Sequence, residues 1–283
     1  FIIVKKESNV KKSLNNLGLM LLSLVISLLM VSDPYYEVYT FQKESNRGAP
    51  SVLDDTNDTK KGTKWDYATQ WSFHPYESIS LILPYYYGLQ NFSVKDRSNP
   101  EKFMKQASYW GYMPFTQSTH YLGLLIIIIS FFSLWFCFTK KDFNATELYL
   151  WIIAIAVLVT GFGSHFSILF KPLFKLAPFF SKFRVPSMIY MMLSLLLPMI
   201  AAIGLDKIIN KKYKNTIFND SVKVFGIFIA LSMTFLLIGE SLLSFSSSGD
   251  LRFTQYVEIV KNIRIDLFNK GVIIALLISS MAL

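Results

Sequence analysis

Long apolar runs separated by short polar segments dominate the chain. Five runs occupy residues 14–31, 121–138, 146–163, 187–205 and 222–240, and a sixth, at residues 271–283, is truncated by the chain end. A helix needs about 20 residues to cross the hydrocarbon core of a bilayer. Because the runs reach or approach that length, the pattern predicts an all-α fold, namely a polytopic transmembrane helix bundle.

The composition is typical of a membrane protein. The chain has 283 residues, of which 52% are hydrophobic, 16% aromatic and 17% charged, and its mean hydropathy is +0.39. The net charge of +9 would suit nucleic acid, but the cations are divided among several loops and form no single basic face. We therefore expect no nucleic-acid partner and assign the cations to anionic membrane lipids. The single cysteine, Cys137, excludes an intramolecular disulfide and indicates a small buried side chain.

Lysine clusters predict the orientation of the spans. They lie at residues 5–12, 140–141 and 207–223, which alternating spans place on one side of the membrane. Because cationic flanks stay cytoplasmic, residues 32–120, 164–186 and 241–270 are expected outside. The first residue is Phe1 and the last apolar run is incomplete, so we expect a fragment of a longer multi-pass protein.

Residues 32–120 form the longest predicted outer segment. Residues 42–64 are polar and indicate a solvated loop, whereas an aromatic stretch begins at Trp65. Asp66 suits the start of a short helix, and the apolar residues 79–83 are too few to span before Pro84. The density of Tyr and Trp between residues 85 and 112 is typical of headgroup depth. We therefore predict interfacial helices within a long extracytoplasmic loop.

Short motifs follow one another in a specific order between residues 14 and 210. They are Asp66-Tyr-Ala-Thr-Gln-Trp-Ser72, Pro75-x-Glu77, Leu83-Pro-x-x-x-Gly88, Tyr109-Trp-Gly111, Pro114-Phe-Thr116, Tyr121-x-Gly123, Lys182-Phe-Arg-Val-Pro-Ser187 and Gly204-Leu-Asp206. This ordered set resembles the YfhO-like bacterial membrane proteins, which look like a branch of the multi-span GT-C glycosyltransferases.

The resemblance implies an activity and a location. A sugar would pass from a polyprenyl-phosphate sugar donor to an envelope glycan acceptor, such as a teichoic-type polymer, on the outer face of the bacterial cytoplasmic (inner) membrane. Such enzymes hold their catalytic acidic residue in the first outer loop, which would precede this chain. The resemblance therefore implies that residues 1–283 alone insert into a membrane but transfer no sugar.

Within the chain, Glu77 and His74 are the candidate catalytic residues. Transfer to a hydroxyl needs a carboxylate that takes a proton or positions a metal ion, and Glu77 is the one acidic residue between residues 67 and 94. We predict that Glu77 faces an aqueous pocket from a short interfacial helix, and that His74 relays a proton or binds a metal. The alternatives are a helix-start charge for Glu77 and a structural hydrogen bond for His74. No metal site is predicted, and the cofactor is undetermined, with a divalent ion compatible.

The expected substrate-binding residues are cationic and aromatic. Arg184 and Lys182 are predicted to meet the donor phosphate, because a guanidinium can hold a phosphate through two hydrogen bonds. Arg184 would alternatively reach any lipid phosphate at headgroup depth. The residues expected to stack on the sugar, or to form an ordinary interfacial belt, are Trp71, Tyr85, Tyr109 and Trp110. His165 follows two glycines and is predicted to shape a loop.

Two other classes of function stay open. A transporter or flippase for a lipid-linked saccharide would bind the same donor, and a non-catalytic envelope scaffold would need no catalytic set. A transporter should carry ionisable residues near the middle of the bilayer. None is evident at mid-depth in the five complete runs, which favours the enzyme.

Overall fold

A computed structural model describes residues 10–42, 64–89, 92–95, 103–106, 108–113, 120–141, 144–177, 180–209, 214–247, 250 and 257–281. The chain divides into two compact units. The first unit takes in residues 1–68 and 177–184, and its helices are α1 (Val10–Met30), α2 (Ser32–Gln42), α3 (Trp65–Ala68) and the 3₁₀ turn Phe180–Lys182.

The second unit takes in residues 69–176 and 185–283. Its elements are, in order, the 3₁₀ helix Pro75–Leu81, strands β1 (Phe92–Lys95) and β2 (Phe103–Gln106), helices α4 (Leu124–Lys140), α5 (Ala145–Gly161) and α6 (Phe170–Leu176), the 3₁₀ helix Pro186–Met192, and helices α7 (Leu193–Ile209), α8 (Lys214–Leu242) and α9 (Val257–Met281).

Two of the described helical stretches are long and apolar enough to cross a membrane. They are Pro186–Ile209, which consists of the 3₁₀ helix Pro186–Met192 followed by α7, and Phe218–Leu242 within α8. Helices α1 and α2 meet at a bend of 60° and provide a third span if the pair acts as one. Helices α4 and α5 are apolar but contain 17 residues each, fewer than the about 20 that a bilayer core requires. The structure therefore indicates membrane association through two or three spanning helices.

Local sequence explains where α4 and α5 begin and end. Gly123 precedes α4 with φ 92°, and Lys141 follows it in the left-handed conformation that commonly ends a helix. Asn144 caps α5 by accepting a hydrogen bond from the Thr146 N–H at 3.0 Å. These signals fix the two helices to within a few residues of the predicted runs.

A small residue brings α4 and α7 into close contact. A Cβ added at Gly204 would lie 2.5 Å from the Ile129 carbonyl oxygen, so only glycine permits this approach. Nearby, the Ser130 hydroxyl donates to the Leu197 carbonyl at 3.0 Å. Elsewhere in the unit, α8 packs against α9.

Two buried apolar clusters form the core of the second unit. One surrounds Phe132, Phe136 and Phe268 and joins α4, α8 and α9 to the segment 83–87. The other surrounds Tyr190 and Ile200 and joins α5 to α7. Cys137, which is 5% exposed, is the small buried residue that was predicted.

Three features of the fold differ from the sequence prediction. The described fold is helical, as predicted, except that strands β1 and β2 form an antiparallel hairpin in which Phe92 is opposite Gln106 and Lys95 is opposite Phe103. Strand formation depends on cross-strand neighbours, and two four-residue strands leave too short an alternating pattern to detect. Helix α9 begins at Val257, well before the apolar run, and α2 occupies the start of the predicted outer loop.

The remaining predictions concern a short helix, a polar loop and one of the ordered motifs. The short helix expected at Asp66 is confirmed as α3. The predicted polar loop at residues 42–64 lies almost wholly outside the described residues, as does the motif Pro114-Phe-Thr116.

Candidate functional site

The 3₁₀ helix Pro75–Leu81 carries Glu77 into the interior of the second unit. His74 caps this helix, because its Nδ1 accepts a hydrogen bond from the Tyr76 N–H at 3.3 Å. Pro75 occupies the first position, where a missing N–H leaves no bond unmade. The Glu77 side chain is 2% exposed. The predicted short helix is present, but the prediction that Glu77 faces an aqueous pocket is wrong.

Neutral donors explain why the Glu77 carboxylate turns inward. The Tyr109 hydroxyl lies 2.9 Å from Oε1 and 2.8 Å from Oε2, and the Tyr112 N–H donates to Oε1 at 2.6 Å. The Met113 N–H donates in turn to the Tyr109 hydroxyl at 3.1 Å. These bonds offset much of the cost of removing a carboxylate from water. Tyr109, which was expected to stack on a sugar, therefore holds Glu77.

The protonation behaviour of this pair follows from its burial. Burial raises the pKa of Glu77, and the hydrogen bonds from Tyr112, Tyr109 and Met113 offset part of the rise. Burial and the nearby Glu77 charge raise the pKa of Tyr109 far above its usual value. The Tyr109 hydroxyl therefore stays protonated and remains a donor to Glu77.

Beside Glu77 lies a group of four residues, His74, Tyr76, Tyr112 and His165, which we call the histidine cluster. The His74 ring stacks on Tyr112 with 4.0 Å between centroids, and the centroids of Tyr76 and His165 lie 5.0 and 4.7 Å from it. Tyr76, Tyr112 and His165 are exposed and His74 is half-buried. A ligand can therefore reach this cluster, although it cannot reach Glu77 directly.

Both imidazoles of the histidine cluster are neutral at pH 7. Burial and then the neighbouring His165 lower the pKa of His74, and burial lowers the pKa of His165. Because Nδ1 of His74 accepts the Tyr76 N–H, the neutral ring carries its proton on Nε2. His74 therefore suits hydrogen bonding to a phosphate or sugar oxygen better than proton abstraction.

A turn after α5 brings His165 to His74. The Ser164 N–H donates to the Ser72 hydroxyl at 3.0 Å. Gly163 has φ 51°, and a Cβ there would overlap the Ser72 hydroxyl, so glycine is required on both counts. The predicted sharp turn is confirmed. The Gly-Phe-Gly-Ser-His run signals that turn, but it does not reveal that His165 meets a second histidine.

The remaining aromatic candidates have different surroundings. Trp110 donates from Nε1 to the Tyr86 carbonyl at 3.1 Å, and its ring lies 5.4 Å from that of Phe245. Trp110 is half-buried, and it packs against the buried cluster that contains Phe245. Trp71 and Tyr85 are half-buried, and Tyr85 has φ 62°.

A buried arginine in the segment 241–270, which was predicted to lie outside, supports this region. Arg264 is 2% exposed and pairs with both carboxylate oxygens of Asp250 at 2.7 Å. Its Nε donates to the Ser108 carbonyl at 2.9 Å, and Nη1 donates to the Phe245 carbonyl at 2.8 Å. Burial alone would raise the pKa of Asp250, but the hydrogen bonds and charge of Arg264 outweigh it and lower that pKa. Because Ser108 precedes Tyr109, Arg264 also fixes the backbone that positions the partner of Glu77.

A second buried glutamate lies between α4, α5 and α7. Glu147 is fully buried, and its Oε2 lies 2.5 Å from the Lys207 Nζ, which is also 3.6 Å from the Cys137 sulfur. The Ser133 hydroxyl also donates a hydrogen bond to the Glu147 carboxylate. Lys207, predicted to lie in a cytoplasmic loop, is instead 7% exposed in the last turn of α7. Both charges lie near helix ends, whereas the sequence prediction concerned ionisable residues at mid-depth.

The predicted phosphate ligand Arg184 lies in the first unit. Its Nη1 donates to the Tyr67 hydroxyl at 2.6 Å, and its guanidinium carbon lies 4.0 Å from the Tyr67 ring centroid. This contact orients the guanidinium. The side chain of Lys182 lies outside the described part of the structure.

Within the described residues, no three His, Cys, Asp or Glu side chains lie close enough together to hold an ion.

No protein-family model, curated protein or solved structure matches this chain. The resemblance to the YfhO-like proteins therefore rests on the ordered motifs alone.

Proposed function

We propose that this protein is a polytopic membrane glycosyltransferase. It moves a sugar from a polyprenyl-phosphate donor to an envelope glycan on the outer face of the bacterial cytoplasmic membrane. The observation that supports this most is that two separate motifs, Pro75-x-Glu77 and Tyr109-Trp-Gly111, meet in one hydrogen-bonded pair beside an accessible histidine cluster. An ordered set of motifs that converges in space is what a shared site requires.

In this proposal Glu77 is a positioning residue rather than the catalytic base. Its carboxylate accepts the Tyr112 N–H, and the Tyr112 ring stacks on His74. The buried charge thus orients the residue against which the imidazole packs. The His74 Nε2–H then donates to an oxygen of the donor phosphate or of the sugar, where a preorganised donor stabilises developing charge.

The proposal is tested with the protein at its natural length in isolated membranes. Polyprenyl-phosphate carrying ¹⁴C-glucose or ¹⁴C-N-acetylglucosamine serves as the probe, and incorporation into purified envelope polymer is measured. We expect His74→Ala and Glu77→Gln each to reduce transfer by about 100-fold, since loss of positioning by a small displacement has that effect. Tyr149→Phe, which removes a hydroxyl from a 59% exposed side chain of α5 outside the histidine cluster, is the control and should retain activity. Unchanged transfer by both variants at normal expression would remove this site from the mechanism.

Arg184 supplies a separate test of donor binding. We expect Arg184→Lys to raise the donor KM by about 5- to 100-fold, because a lysine keeps the charge but loses charged hydrogen bonds of the guanidinium. The matched control is Lys171→Arg, which changes a cation on α6 in the opposite direction. An unchanged KM would assign Arg184 to its contact with Tyr67 or to lipid headgroups.

A transporter or flippase for a lipid-linked saccharide is the second candidate. The observation that favours it is the buried Glu147–Lys207 pair among apolar helices, since ionisable residues in such positions often mark transport pathways. Movement of a fluorescent lipid-linked saccharide across proteoliposomes, abolished by Glu147→Gln while sugar transfer persists, would support this function. Neither transfer nor transport in reconstituted protein would support a non-catalytic scaffold.

A further inference from the structure

A cavity of about 180 Å³ lies in the second unit between α4, α5, α7 and the 3₁₀ helix Pro75–Leu81. It is slightly larger than the roughly 150 Å³ cavity that accommodates one benzene molecule in an apolar core. Four of its residues, Trp151, Ala154, Ile155 and Leu158, form one face of α5. That face extends along the helix for roughly 10 Å, which is long enough to contact several consecutive methylene groups.

The entrance of this cavity is apolar. Phe131 and Ile155 both line it and are 41% and 55% exposed on the surface of α4 and α5. An occupant therefore enters from apolar surroundings, such as the side of a bilayer, rather than from water.

Two of the lining residues, Ser78 and Trp151, each carry a buried polar atom that has no hydrogen-bond partner within the described part of the chain. These atoms are the Ser78 hydroxyl oxygen and the Trp151 Nε1. An indole N–H is a donor only, and a serine hydroxyl also donates. Buried donors in folded proteins nearly always meet an acceptor, so the occupant should carry oxygen acceptors as well as hydrocarbon.

The acceptors that the Ser78 hydroxyl and the Trp151 N–H require are neutral oxygens. The residues that line the cavity include no Lys, Arg or His and no acidic side chain, so a phosphate placed there would be an unpaired buried charge, which is strongly unfavourable. An isoprenoid phosphate carries its oxygens on that charged group. An ester-linked lipid instead carries neutral carbonyl oxygens next to its hydrocarbon chains.

We propose that the cavity binds the part of a membrane glycerolipid's acyl chain that lies next to the ester group, with ester oxygens accepting hydrogen bonds from Ser78 and Trp151. The site is separate from the proposed sugar transfer and does not depend on it. Ser78 directly follows Glu77 in the 3₁₀ helix Pro75–Leu81. A bound lipid therefore also stabilises the helix that carries the Glu77 network.

The first test compares an ester lipid with its ether analogue. The protein is delipidated in detergent and titrated with dioleoyl phosphatidylglycerol or with the corresponding dialkyl ether lipid, and bound lipid is counted by native mass spectrometry. We expect Ser78→Ala and Trp151→Phe each to weaken ester-lipid binding about five-fold, the effect of one neutral hydrogen bond, and to leave ether-lipid binding unchanged. Equal binding of both lipids to the unmodified protein would overturn the assignment.

The second test fills the cavity. Ala154→Phe places a ring inside it and should abolish the tight binding of one ester lipid, whereas Ala156→Phe, on the same helix but outside the cavity lining, should not. If Ala154→Phe does not fold, the ester-to-ether comparison on Ser78→Ala and Trp151→Phe decides the question. Tighter binding of undecaprenyl phosphate than of phosphatidylglycerol, lost in Ala154→Phe, would assign the cavity to an isoprenoid and overturn the proposal.

Discussion

Glu77 and Glu147 are both buried in the second unit, but their surroundings differ. Glu77 accepts hydrogen bonds from a phenol and a backbone N–H. Glu147 pairs with the ammonium of Lys207 and with the Ser133 hydroxyl. A carboxylate held by neutral donors keeps an uncompensated charge, whereas an ion pair is neutral as a whole.

This difference separates the two sites by what can change at them. At Glu77, burial favours the protonated carboxyl group, whereas the hydrogen bonds favour the carboxylate. The site can therefore gain or lose a proton. At Glu147 the opposite charge resides in another helix, so the pair joins α5 to α7. The first arrangement suits a region that meets ligands, and the second suits the attachment of helices to each other.

The largest expected effect comes from breaking the ion pair. Lys207→Met leaves Glu147 buried without its cation, and such a loss costs about 3–5 kcal/mol of unfolding free energy. Denaturation of the purified protein in micelles, followed by circular dichroism, measures it. The double variant Glu147→Gln with Lys207→Met should recover much of the loss, because both charges are then absent. A double variant as unstable as Lys207→Met alone would show that packing, not charge, is responsible.

A smaller loss is expected at Glu77. Tyr109→Phe removes the hydroxyl from the carboxylate and also deprives the Met113 N–H of its acceptor, so the unfolding free energy should fall by about 1–3 kcal/mol. Tyr76→Phe removes a hydroxyl from a side chain that is 71% exposed and is the control. Equal stability of the two variants would contradict the importance of the Glu77 network.

The pH dependence of stability sharpens the comparison. Because the pKa of Glu77 is raised in the folded protein, its contribution is fully present below its ordinary pKa of 4.5 and is lost as pH rises through the folded pKa. Glu77→Gln should abolish this part of the decline in the melting temperature between acidic and neutral pH. Asp250, whose pKa is lowered, should act in the opposite direction, with stability lost as pH falls through the folded pKa. A Glu77→Gln profile that parallels the unmodified protein would contradict the raised pKa.

The smallest effect is expected at an exposed ion pair. The Lys270 Nζ lies 2.7 Å from the Asp266 Oδ2, and both side chains are 62% exposed. Lys270→Met should cost at most about 0.5 kcal/mol, and 1 M salt should remove most of that cost. A loss comparable with that of Lys207→Met would mean that burial is not what distinguishes the two lysines.

Several features of the fold were predictable from local sequence. Each long apolar run corresponds to a helix, and the Asn144 cap and the Gly163 turn follow from residue type. The hairpin of β1 and β2 was not predictable, because its pairing links residues that have no local pattern in common. The start of α9 was missed for another reason: its first turns are charged, and a charged helix of this kind also fits a solvated segment.

The candidate site also combines features that local sequence predicts with features that it does not predict. The sequence singled out Glu77, His74 and Tyr109 by residue type, but it placed Glu77 in water and Tyr109 against a sugar. The contact between them joins segments 32 residues apart. The burial of Arg264 and Lys207 was missed in the same way, since the positions of their acidic partners become evident only in three dimensions.

The sequence by itself determined the apolar helices, their approximate limits and the residue types available for chemistry, because hydrophobic periodicity, caps and turns act over a few neighbouring residues. Only the tertiary structure decided that Glu77 is buried against Tyr109, that His165 meets His74, and that Glu147 is neutralised by Lys207. The physical reason is that the cost of burying a charge depends on which groups surround it, and those groups come from distant parts of the chain.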